Sequence, residues 1–564
     1  MDQHLNQRLQ RFIQNNREDM IRRSRLIISP MLHASIIPWL VELPSEIQLF
    51  CEARDRDDQL FESLLNSGLL PKYAFPIDVV SLTIPTDQAS TMEENSNDTL
   101  QRDLKIAIAE YAPGAEIVRQ SDQRTYKYTS VGLHDPFERV PSYVGQGLVI
   151  ECPVCQHALV LQGPNAQIPA VCPVCASERL NSMTFIRPKG FTVDGALNNG
   201  GREPYYSQDG VERGAPVSSA KLLMGENSVR SEHRESWLDG RLNSLVSVGG
   251  LLIVNKGLDP SNPGFNLCPT CGRQLDPQSS ERHRYPADVP PNAGHRLGPR
   301  KGHRCPVTPP YSDAKLVLAH NFHSEVLLIG VNFPLTLDAP FTDRSGFAQW
   351  LSFGTLVAMA ASRILQIDST EIKVGVRAIN HGNNRIHGEV FLYDDVPGGA
   401  GYARAIRDNL MTILETAYTI AATCSNAECS GACYQCMLDY KNQSFHHLLS
   451  RDLGRPILEY VLSGQTPSLG NAEFDLSVAS LSEYARETYQ VLVETEPWRS
   501  NYSITVIDNQ GRRCRIQIIH PLCARPSTEE QRRLESETGI GLVTFTTFDL
   551  IKRPFWALNQ LRFL

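Results

Sequence analysis

Eleven of the fourteen cysteines fall into three clusters whose spacing is typical of metal sites. Cluster one is Cys152, Cys155, Cys172 and Cys175; cluster two contains Cys268, Cys271 and Cys305; cluster three is Cys424, Cys429, Cys433 and Cys436. Thiolates at such short spacings converge on one tetrahedral ion, and zinc is the default occupant. Because a closed four-ligand site leaves no position for water, the clusters indicate structural metal and no catalysis. We expect two or three Zn²⁺ ions per chain.

Cluster one is the most regular of the three. Each Cys-Pro-Val-Cys knuckle presents two thiolates, and the sixteen residues between Cys155 and Cys172 allow a hairpin that brings the knuckles face to face. The sequence therefore predicts a zinc ribbon over this segment. Cluster three places four cysteines within thirteen residues. An iron–sulfur centre is the alternative for an all-thiolate set, and the neighbouring Asn, Ser and Gly residues favour zinc.

Cluster two has only three cysteines, so its fourth ligand must be a histidine. His303, two residues before Cys305, is the favoured candidate, His283 is the next, and His295 is the third. For each histidine taken singly, a surface position without a ligand role is the more frequent case. The predicted ligand set is Cys268, Cys271, His303 and Cys305.

The sequence of residues 392–402 predicts a strand, a Gly-rich turn and the start of a helix. Backbone N–H groups at such a junction can hold an anion, so residues 398–401 are a candidate phosphate site. The alternative is a tight turn that needs small residues, with Asp394 and Asp395 as caps. No Gly-Lys-Ser/Thr follows, so the segment is not a P-loop. The sequence leaves these two interpretations open.

A short acidic segment offers the main catalytic alternative. In residues 368–373, Glu371 and Lys373 are arranged like the carboxylate–lysine core of metal-dependent nucleases. Such a short pattern often arises by chance. The 564 residues contain no GxxxxGK[ST] loop, no HxK pair and no HExxH motif. We therefore expect a protein that is not an enzyme, with a metal-dependent DNA nuclease as a rival.

The charge distribution points to one candidate nucleic-acid surface. A net charge of −8 argues against a globally basic protein, but phosphate contacts need only a local patch. Residues 282–304, inside cluster two, carry six basic residues against the single acidic residue Asp288. A solvated surface is the commoner role for any one patch. The candidate DNA-binding residues are Arg282, Arg284, Arg296, Arg300, Lys301 and Arg304.

Bulk properties place the chain among folded, non-membrane proteins. Its length suggests three or four structural units. No run of eighteen apolar residues occurs, so a membrane span is not expected. The polar start lacks the apolar core of a secretory signal. Paired Cys-x-x-Cys units suit metal binding better than disulfide formation, and cysteines stay reduced in the cytosol. We therefore expect a cytoplasmic protein.

The secondary structure predicted around the clusters includes one early strand and three later helices. Residues 104–109 alternate as a half-buried strand should. Residues 346–366 lack an interior proline and predict a helix, with Ser345 as the N-cap. A second long helix is predicted over residues 402–422, where it leads to cluster three, and a third over residues 481–493.

The predicted fold class is mixed α/β (α+β) and multidomain, with a β-rich zinc-ribbon middle and an α/β C-terminal half that contains a four-cysteine zinc module. The predicted domains are an N-terminal mixed α/β region at 1–150, a zinc ribbon at 151–180, a β-rich region with the second zinc site at 181–310, a zinc-binding domain at 311–465, and a small α/β module at 466–564.

Several segments together resemble proteins with the MrfA-type zinc-binding domain. They are residues 70–80, 110–118, 394–402 and 433–443, in the order expected of that family. The resemblance covers about residues 60–455. It extends only weakly to the C-terminal segment that follows. The familiar Tyr-Gly-Phe-Pro stands here as Tyr73-Ala74-Phe75-Pro76. The resemblance implies that Cys424, Cys429, Cys433 and Cys436 bind zinc.

The same resemblance implies a partner and a pathway. In that family the domain often follows a superfamily 2 DNA helicase, whose motifs are missing here. The arrangement is similar to the DrmB family, the helicase-associated subunits of the bacterial anti-phage system DISARM. It implies a scaffold that binds a helicase-like, DrmA-like ATPase subunit and helps the complex hold or load DNA. An assembly adaptor without DNA contact is the other rival.

We predict that replacing the six basic residues of 282–304 with alanine weakens DNA binding without unfolding the protein. The contacts would be mainly to phosphate, so each lost contact should lower the salt slope of log K by about 0.9. Filter binding to duplex and overhang DNA across a salt series measures both quantities, and unchanged binding would remove these residues from the interface. Plasmid cleavage with Mg²⁺ or Mn²⁺ that is lost in Glu371→Gln would instead establish the nuclease.

Overall fold

The computed structural model describes most of the chain after residue 77. The described residues are 78–84, 98–121, 124–134, 143–161, 167–193, 221–223, 234–257, 259, 262–268, 271–276, 307–309, 315–382, 385–394, 400–486, 492–498, 502–508 and 510–561. They belong to one compact unit, Asp78–Leu564, and the unit Met1–Ile77 lies outside them. The described helices include none long and apolar enough to cross a membrane.

The described strands form three sheets of five, nine and four strands. Their bounds are β1 Val79–Ile84, β2 Asp98–Asp103, β3 Glu116–Ser121, β4 Arg124–Leu133, β5 Tyr143–Glu151, β6 Ala158–Leu161, β7 Asn181–Pro188, β8 Gly190–Val193, β9 Lys221–Leu223, β10 Glu235–Trp237, β11 Leu242–Asn255, β12 Leu316–Val331, β13 Ile372–Asn380, β14 Ile386–Asp394, β15 Leu492–Trp498, β16 Ser503–Ile507, β17 Arg513–Ile519 and β18 Gly541–Thr546.

The described helices lie mainly in the C-terminal half. Their bounds are α1 Leu104–Glu110, α2 Arg344–Leu365, α3 Tyr402–Asp408, α4 Leu410–Ala422, α5 Arg451–Ser463, α6 Asn471–Tyr484, α7 Thr528–Thr538, α8 Thr547–Lys552 and α9 Pro554–Gln560, and a 3₁₀ helix spans Tyr440–Phe445. The mixed α/β class predicted from the sequence is confirmed.

Cluster one lies in the connections between β5, β6 and β7 of the nine-stranded sheet. Its spine is the antiparallel pair β11–β12, which stays in register from Leu242 opposite Val331 to Asn255 opposite Leu318. Strand β12 also pairs with β7 in parallel and with β14 antiparallel, so the β-rich middle and the α/β half share one sheet. Strand β13 follows β14 at one end of this arrangement.

Helix α2 organises the main core. Trp350, Phe353 and Leu356 are fully buried, and α2 packs on β13 and β14 and against α4 and α5. The fit against the sheet is close, since a Cβ atom at Gly388 would lie 2.3 Å from the Trp350 ring. The helix begins two residues earlier than predicted: its N-cap is Asp343, and Ser345 is a buried residue within the helix.

Three other predicted elements differ from the structure. Residues 104–109 are helical because the Asp103 side chain caps Lys105 N at 2.9 Å and the buried residues recur with helical spacing. The predicted helix over 402–422 is two helices that meet at Asn409. The segment predicted as a helix over 481–493 contains the end of α6 and the start of β15.

The C-terminal residues form a separate small core. The order β15-β16-β17-β18 combines an antiparallel pair on each side of β16 with a parallel β17–β18 pair. Apolar side chains of these strands pack against α6, α8 and α9. The capping box of α8, in which Thr546 and Asp549 bond reciprocally, fixes the turn from β18 into that helix.

A buried ion cluster ties the sheet to the segment before β10. The Glu389 carboxylate on β14 is fully buried and accepts Arg377 Nε at 2.8 Å and Arg234 Nη1 at 2.5 Å. Glu389 is the shared ion-pair partner of both guanidinium groups, and Arg234 also donates to Asn243 Oδ1 at 2.5 Å. Removal of the anion would leave both cations mostly buried and unpaired.

We predict that Glu389→Ala lowers the free energy of unfolding by about 3–5 kcal/mol, because it strands two buried arginines. Urea denaturation followed by circular dichroism measures the change. The matched control is Glu235→Ala, which breaks a partly exposed pair with Arg407 and should cost at most about 1 kcal/mol. Equal effects of the two substitutions would contradict a structural role for the buried cluster.

Candidate metal centres

The four cysteines of cluster one converge as a metal site requires. The Sγ atoms of Cys152 and Cys175 lie 3.4 Å apart, and those of Cys155 and Cys172 lie 3.5 Å apart. All four sulfur atoms lie within 4.8 Å of one another. A tetrahedral zinc ion with sulfur ligands at about 2.3 Å requires sulfur–sulfur separations of about 3.8 Å. The four-sulfur donor set and its size therefore fit zinc.

The backbone forms the same knuckle at both halves of cluster one. Cys152 N donates to His157 O at 2.9 Å, and Gln156 N donates to Cys152 O at 2.9 Å. The second half repeats these bonds, from Cys172 N to Ser177 O and from Ala176 N to Cys172 O. Gln156 and Ala176, each just after the second cysteine, both have φ near +55°. The repeated geometry turns each pair of thiolates toward one point.

The described half of cluster two has the same knuckle geometry. Cys268 N donates to Arg273 O at 2.8 Å, and Gly272 N donates to Cys268 O at 2.9 Å. Gly272 has φ of +73°, and a Cβ atom there would lie 2.6 Å from Leu133 O, so glycine suits this turn. Cys268 and Cys271 are thus presented as a pair. The remaining predicted candidates lie outside the described residues: His283, His295, His303 and Cys305.

Cluster three also brings four sulfur atoms together. The Sγ atoms of Cys424 and Cys433 lie 3.6 Å apart, those of Cys429 and Cys436 lie 3.8 Å apart, and all four lie within 4.8 Å. The backbone N–H of Cys433 points at Cys436 Sγ at 3.2 Å. A backbone hydrogen bond from Gln435 lowers the pKa of Cys433 to about 6, whereas burial raises that of Cys436 to about 12. A buried thiol of this kind becomes a ligand when a cation stabilises its thiolate.

Arg451, at the start of α5, is a supporting residue that sequence reasoning missed. Its Nη2 lies 3.7 Å from Cys429 Sγ, its Nη1 donates to Ala421 O at 3.1 Å, and its backbone N donates to Gly431 O at 2.9 Å. A zinc ion with four thiolates carries a net charge of −2, which this guanidinium partly offsets. No local spacing links Arg451 to the cysteines, so only the fold could reveal it.

Glu371, the candidate nuclease carboxylate, belongs to no group of three or more metal-competent side chains among the described residues. The Tyr402 hydroxyl donates to the Glu371 carboxylate, and this bond raises the pKa of Tyr402 to about 12. Lys373 lines a neighbouring cavity that does not include Glu371. Asp368 caps the backbone N of Thr370 at 2.8 Å. Within the part of the chain that the structure describes, the metal-competent groups of three or more side chains are the two four-cysteine clusters.

The Gly-rich turn already holds an anion of the protein. Asp394 is buried, and its Oδ2 accepts the backbone N–H groups of Ala400, Gly401 at 2.9 Å and Tyr402 at 3.2 Å. Burial raises the pKa of Asp394 above its ordinary value. The described donors of this turn thus serve an internal cap, while residues 395–399 lie outside the described residues.

The predicted DNA-binding residues cannot be placed on this fold, since all six lie outside the described residues: Arg282, Arg284, Arg296, Arg300, Lys301 and Arg304. Their role stays a prediction. The described residues that precede this segment in the sequence include Arg273, which forms an isolated bridge with Gly132.

Comparisons with known proteins agree with the metal chemistry. Residues 353–437 match the MrfA Zn-binding domain family, and the match includes all four cysteines of cluster three. The Druantia protein DruE of Escherichia coli (strain UMEA 4076-1) is 26% identical over 483 residues, which cover 79% of this chain and 24% of that protein. This chain therefore spans about a quarter of the length of that relative.

Solved structures give only distant likenesses. The crystal structure of the DUF1998 helicase MrfA bound to DNA is 11% identical, with a TM-score of 0.28 over 64% of this chain and 31% of that chain. A second crystal structure of the DUF1998 helicase MrfA is 10% identical, with a TM-score of 0.29 over 72% of this chain and 39% of that chain. What the comparisons establish for this chain is an MrfA-type zinc-binding domain and a similarity to DruE.

We predict two or three zinc equivalents per purified chain, one each for clusters one and three and a third if cluster two is complete. Cys172→Ser should remove one equivalent and Cys433→Ser another, because an incomplete sulfur set loses most of its affinity. Cys268→Ser tests the third. Elemental analysis on the same samples measures the metal, and Cys514→Ser, a buried cysteine away from the clusters, is the control. Fewer than two equivalents in the unchanged chain would contradict the zinc assignment.

Proposed function

We propose that this chain is a zinc-stabilised, non-catalytic subunit of an anti-phage defence complex. It binds a helicase-like ATPase of the DrmA type and helps the complex bind or load DNA in the cytoplasm. Its identity in this proposal is that of a DrmB-like subunit of DISARM. The pathway and the partner come from the sequence resemblance, and the similarity to a Druantia protein is compatible with a defence role.

One observation carries the proposal. The residues that match the MrfA Zn-binding domain, 353–437, contain both the core helix α2 from Phe353 onward and the four converging cysteines of cluster three. The domain in this chain is therefore folded around a closed sulfur site that has no free coordination position. Such a site stabilises a surface for binding and supplies no Lewis acid.

Three features support a role without catalysis. The sequence has no phosphate-binding loop, so the proposal assigns ATP hydrolysis to another polypeptide. Glu371 accepts a hydrogen bond from the Tyr402 hydroxyl and is not among the residues that line the cavity at Lys373. The backbone donors at the start of α3 are occupied by Asp394. The proposed DNA contact belongs to residues 282–304, which follow the knuckle at Cys268 in the sequence.

We predict that the chain copurifies with a coexpressed helicase-like ATPase of the DrmA type and turns over no ATP by itself. The complex should bind overhang DNA more tightly than the ATPase alone, because the chain adds phosphate contacts. Size-exclusion chromatography, an ATPase assay and filter binding on the same preparations measure these properties.

The control is a chain with Cys433→Ser, which should lose the partner together with its zinc. ATP turnover by the purified chain, or an ATPase that elutes separately, would overturn the proposal. Copurification with unchanged DNA binding would instead establish the assembly adaptor.

A further inference from the structure

Cluster three is the more accessible of the two four-cysteine clusters. Three of its cysteines are partly exposed and only Cys436 is buried, whereas three of the four cysteines of cluster one are buried. Water and competing ligands can therefore approach the sulfur atoms of cluster three more easily. Retention of a metal at this site depends correspondingly more on the residues that surround the sulfur atoms.

Arg451 is such a surrounding residue, and its side chain is incompletely paired with oxygen acceptors. Its Nη2 donates to Cys429 Sγ at 3.7 Å, and its charge also interacts with the sulfur atoms of Cys424 and Cys436. Its Nε atom is buried and has no hydrogen-bond acceptor among the described residues. Four thiolates around a zinc ion carry a net charge of −2, so the guanidinium is best stabilised when the site is loaded.

The same residue joins two backbone segments to the start of α5. Its Nη1 donates to Ala421 O in the last turn of α4 at 3.1 Å, and its backbone N donates to Gly431 O between the cysteines at 2.9 Å. Gly431 has φ of +113°, and a Cβ atom there would lie 2.8 Å from Oγ of Ser450, the N-cap of α5. The cysteine segment and the N-terminus of α5 are therefore in close contact.

The start of α5 also contacts the core helix α2. Ser450 N donates to Ser352 Oγ of α2 at 3.1 Å, and both residues are buried. One turn later, a Cβ atom at Gly454 would lie 3.0 Å from Phe353 N, so the two helix backbones approach closely. Helix α5 packs on both α2 and α4. A change at its N-terminus is consequently transmitted to the helix that organises the main core.

We propose that Arg451 is a positioning residue that couples zinc occupancy of cluster three to the docking of α5 on α2. Its guanidinium offsets the charge of the loaded sulfur site, and its side chain and backbone hold Ala421 and Gly431 against the start of α5. Linkage makes the coupling reciprocal: the loaded site favours the docked helix, and the docked helix favours retention of zinc. This coupling goes beyond the proposed function, because it needs neither the ATPase partner nor DNA.

The first experiment measures the rate at which the zinc-loaded full chain releases zinc to an excess of a chromogenic chelator. The release phase of cluster three is identified as the one that is missing in Cys433→Ser. Arg451→Gln should accelerate that phase by about tenfold or more and leave the other phases unchanged, as expected for a residue that supports metal ligands. Arg451→Lys keeps the positive charge and should release zinc more slowly than Arg451→Gln.

Arg455→Gln is the matched control, with the same substitution one turn later in α5. Arg455 Nε pairs with Glu459 within the helix at 2.8 Å, so this variant should release zinc at the rate of the unchanged chain. An unchanged cluster-three phase in Arg451→Gln overturns the proposal. Equal release from Arg451→Lys and Arg451→Gln also overturns it, because the charge would then have no effect.

Hydrogen exchange over residues 450–454 separates the coupling from a merely structural role. The amides of Ser450 and Arg451 donate to Ser352 Oγ and Gly431 O, so their exchange reports the docking of α5. Arg451→Gln should accelerate this exchange in the zinc-loaded chain and have little further effect after chelation. An equal acceleration in both states would assign Arg451 a structural role only and overturn the proposal.

A further comparison leaves Arg451 unchanged and serves even if Arg451→Gln does not fold. Cys433→Ser removes zinc from cluster three, and Cys172→Ser removes it from cluster one. Exchange over residues 450–454 should be faster in Cys433→Ser than in Cys172→Ser, because only cluster three contacts the start of α5 through Arg451. Equal exchange in these two variants would overturn the proposal.

Discussion

Mutual repulsion of thiolates is the constraint on which this structure depends. Four sulfur atoms held within 4.8 Å of one another are stable as ligands only around a cation. Burial adds to the constraint, because Cys155 and Cys172 are almost inaccessible in the ribbon. Each cluster therefore makes the metal a part of the fold, and loss of the ion should destabilise the elements that the cluster joins.

The two best-described clusters are connected to the same core. Cluster three joins the end of α4 to the start of α5, and both helices pack on α2. The ribbon packs through Cys152 and Cys155 against Phe341 and the end of β13. Helix α2 and strand β13 thus receive support from two separate metal sites. This arrangement gives a rigid frame to a sheet edge that would otherwise be weakly specified.

The cysteine sets of clusters one and three were predictable because their spacing is local, and the structure brings the sulfur atoms of each set together. A Cys-x-x-Cys pair has one short backbone solution, and both halves of the ribbon adopt it. The mixed α/β fold class was also predictable from apolar runs. Residues 104–109 were not, since their apolar positions fit a strand and a helix equally and the cap at Asp103 decided the outcome.

Nonlocal contacts could not be predicted. Nothing in the sequence places Arg234 beside Glu389, which is 155 residues away, or Arg451 beside Cys429. The edge position of β13 is also a property of sheet order, which strand patterns do not encode. The fourth ligand of cluster two stays a prediction, because residues 277–306 lie outside the described part of the chain.

The turn at Asp394 has a consequence for any phosphorylated ligand. The carboxylate is covalently attached six residues before Ala400, whose N–H it accepts. Its effective concentration at the start of α3 is therefore on the order of millimolar or higher. A phosphate in solution would have to compete with this tethered anion at every encounter. Asp394 thus occupies the described N–H groups at the start of α3. Nucleotides at ordinary cellular concentrations would have to displace this carboxylate to bind there.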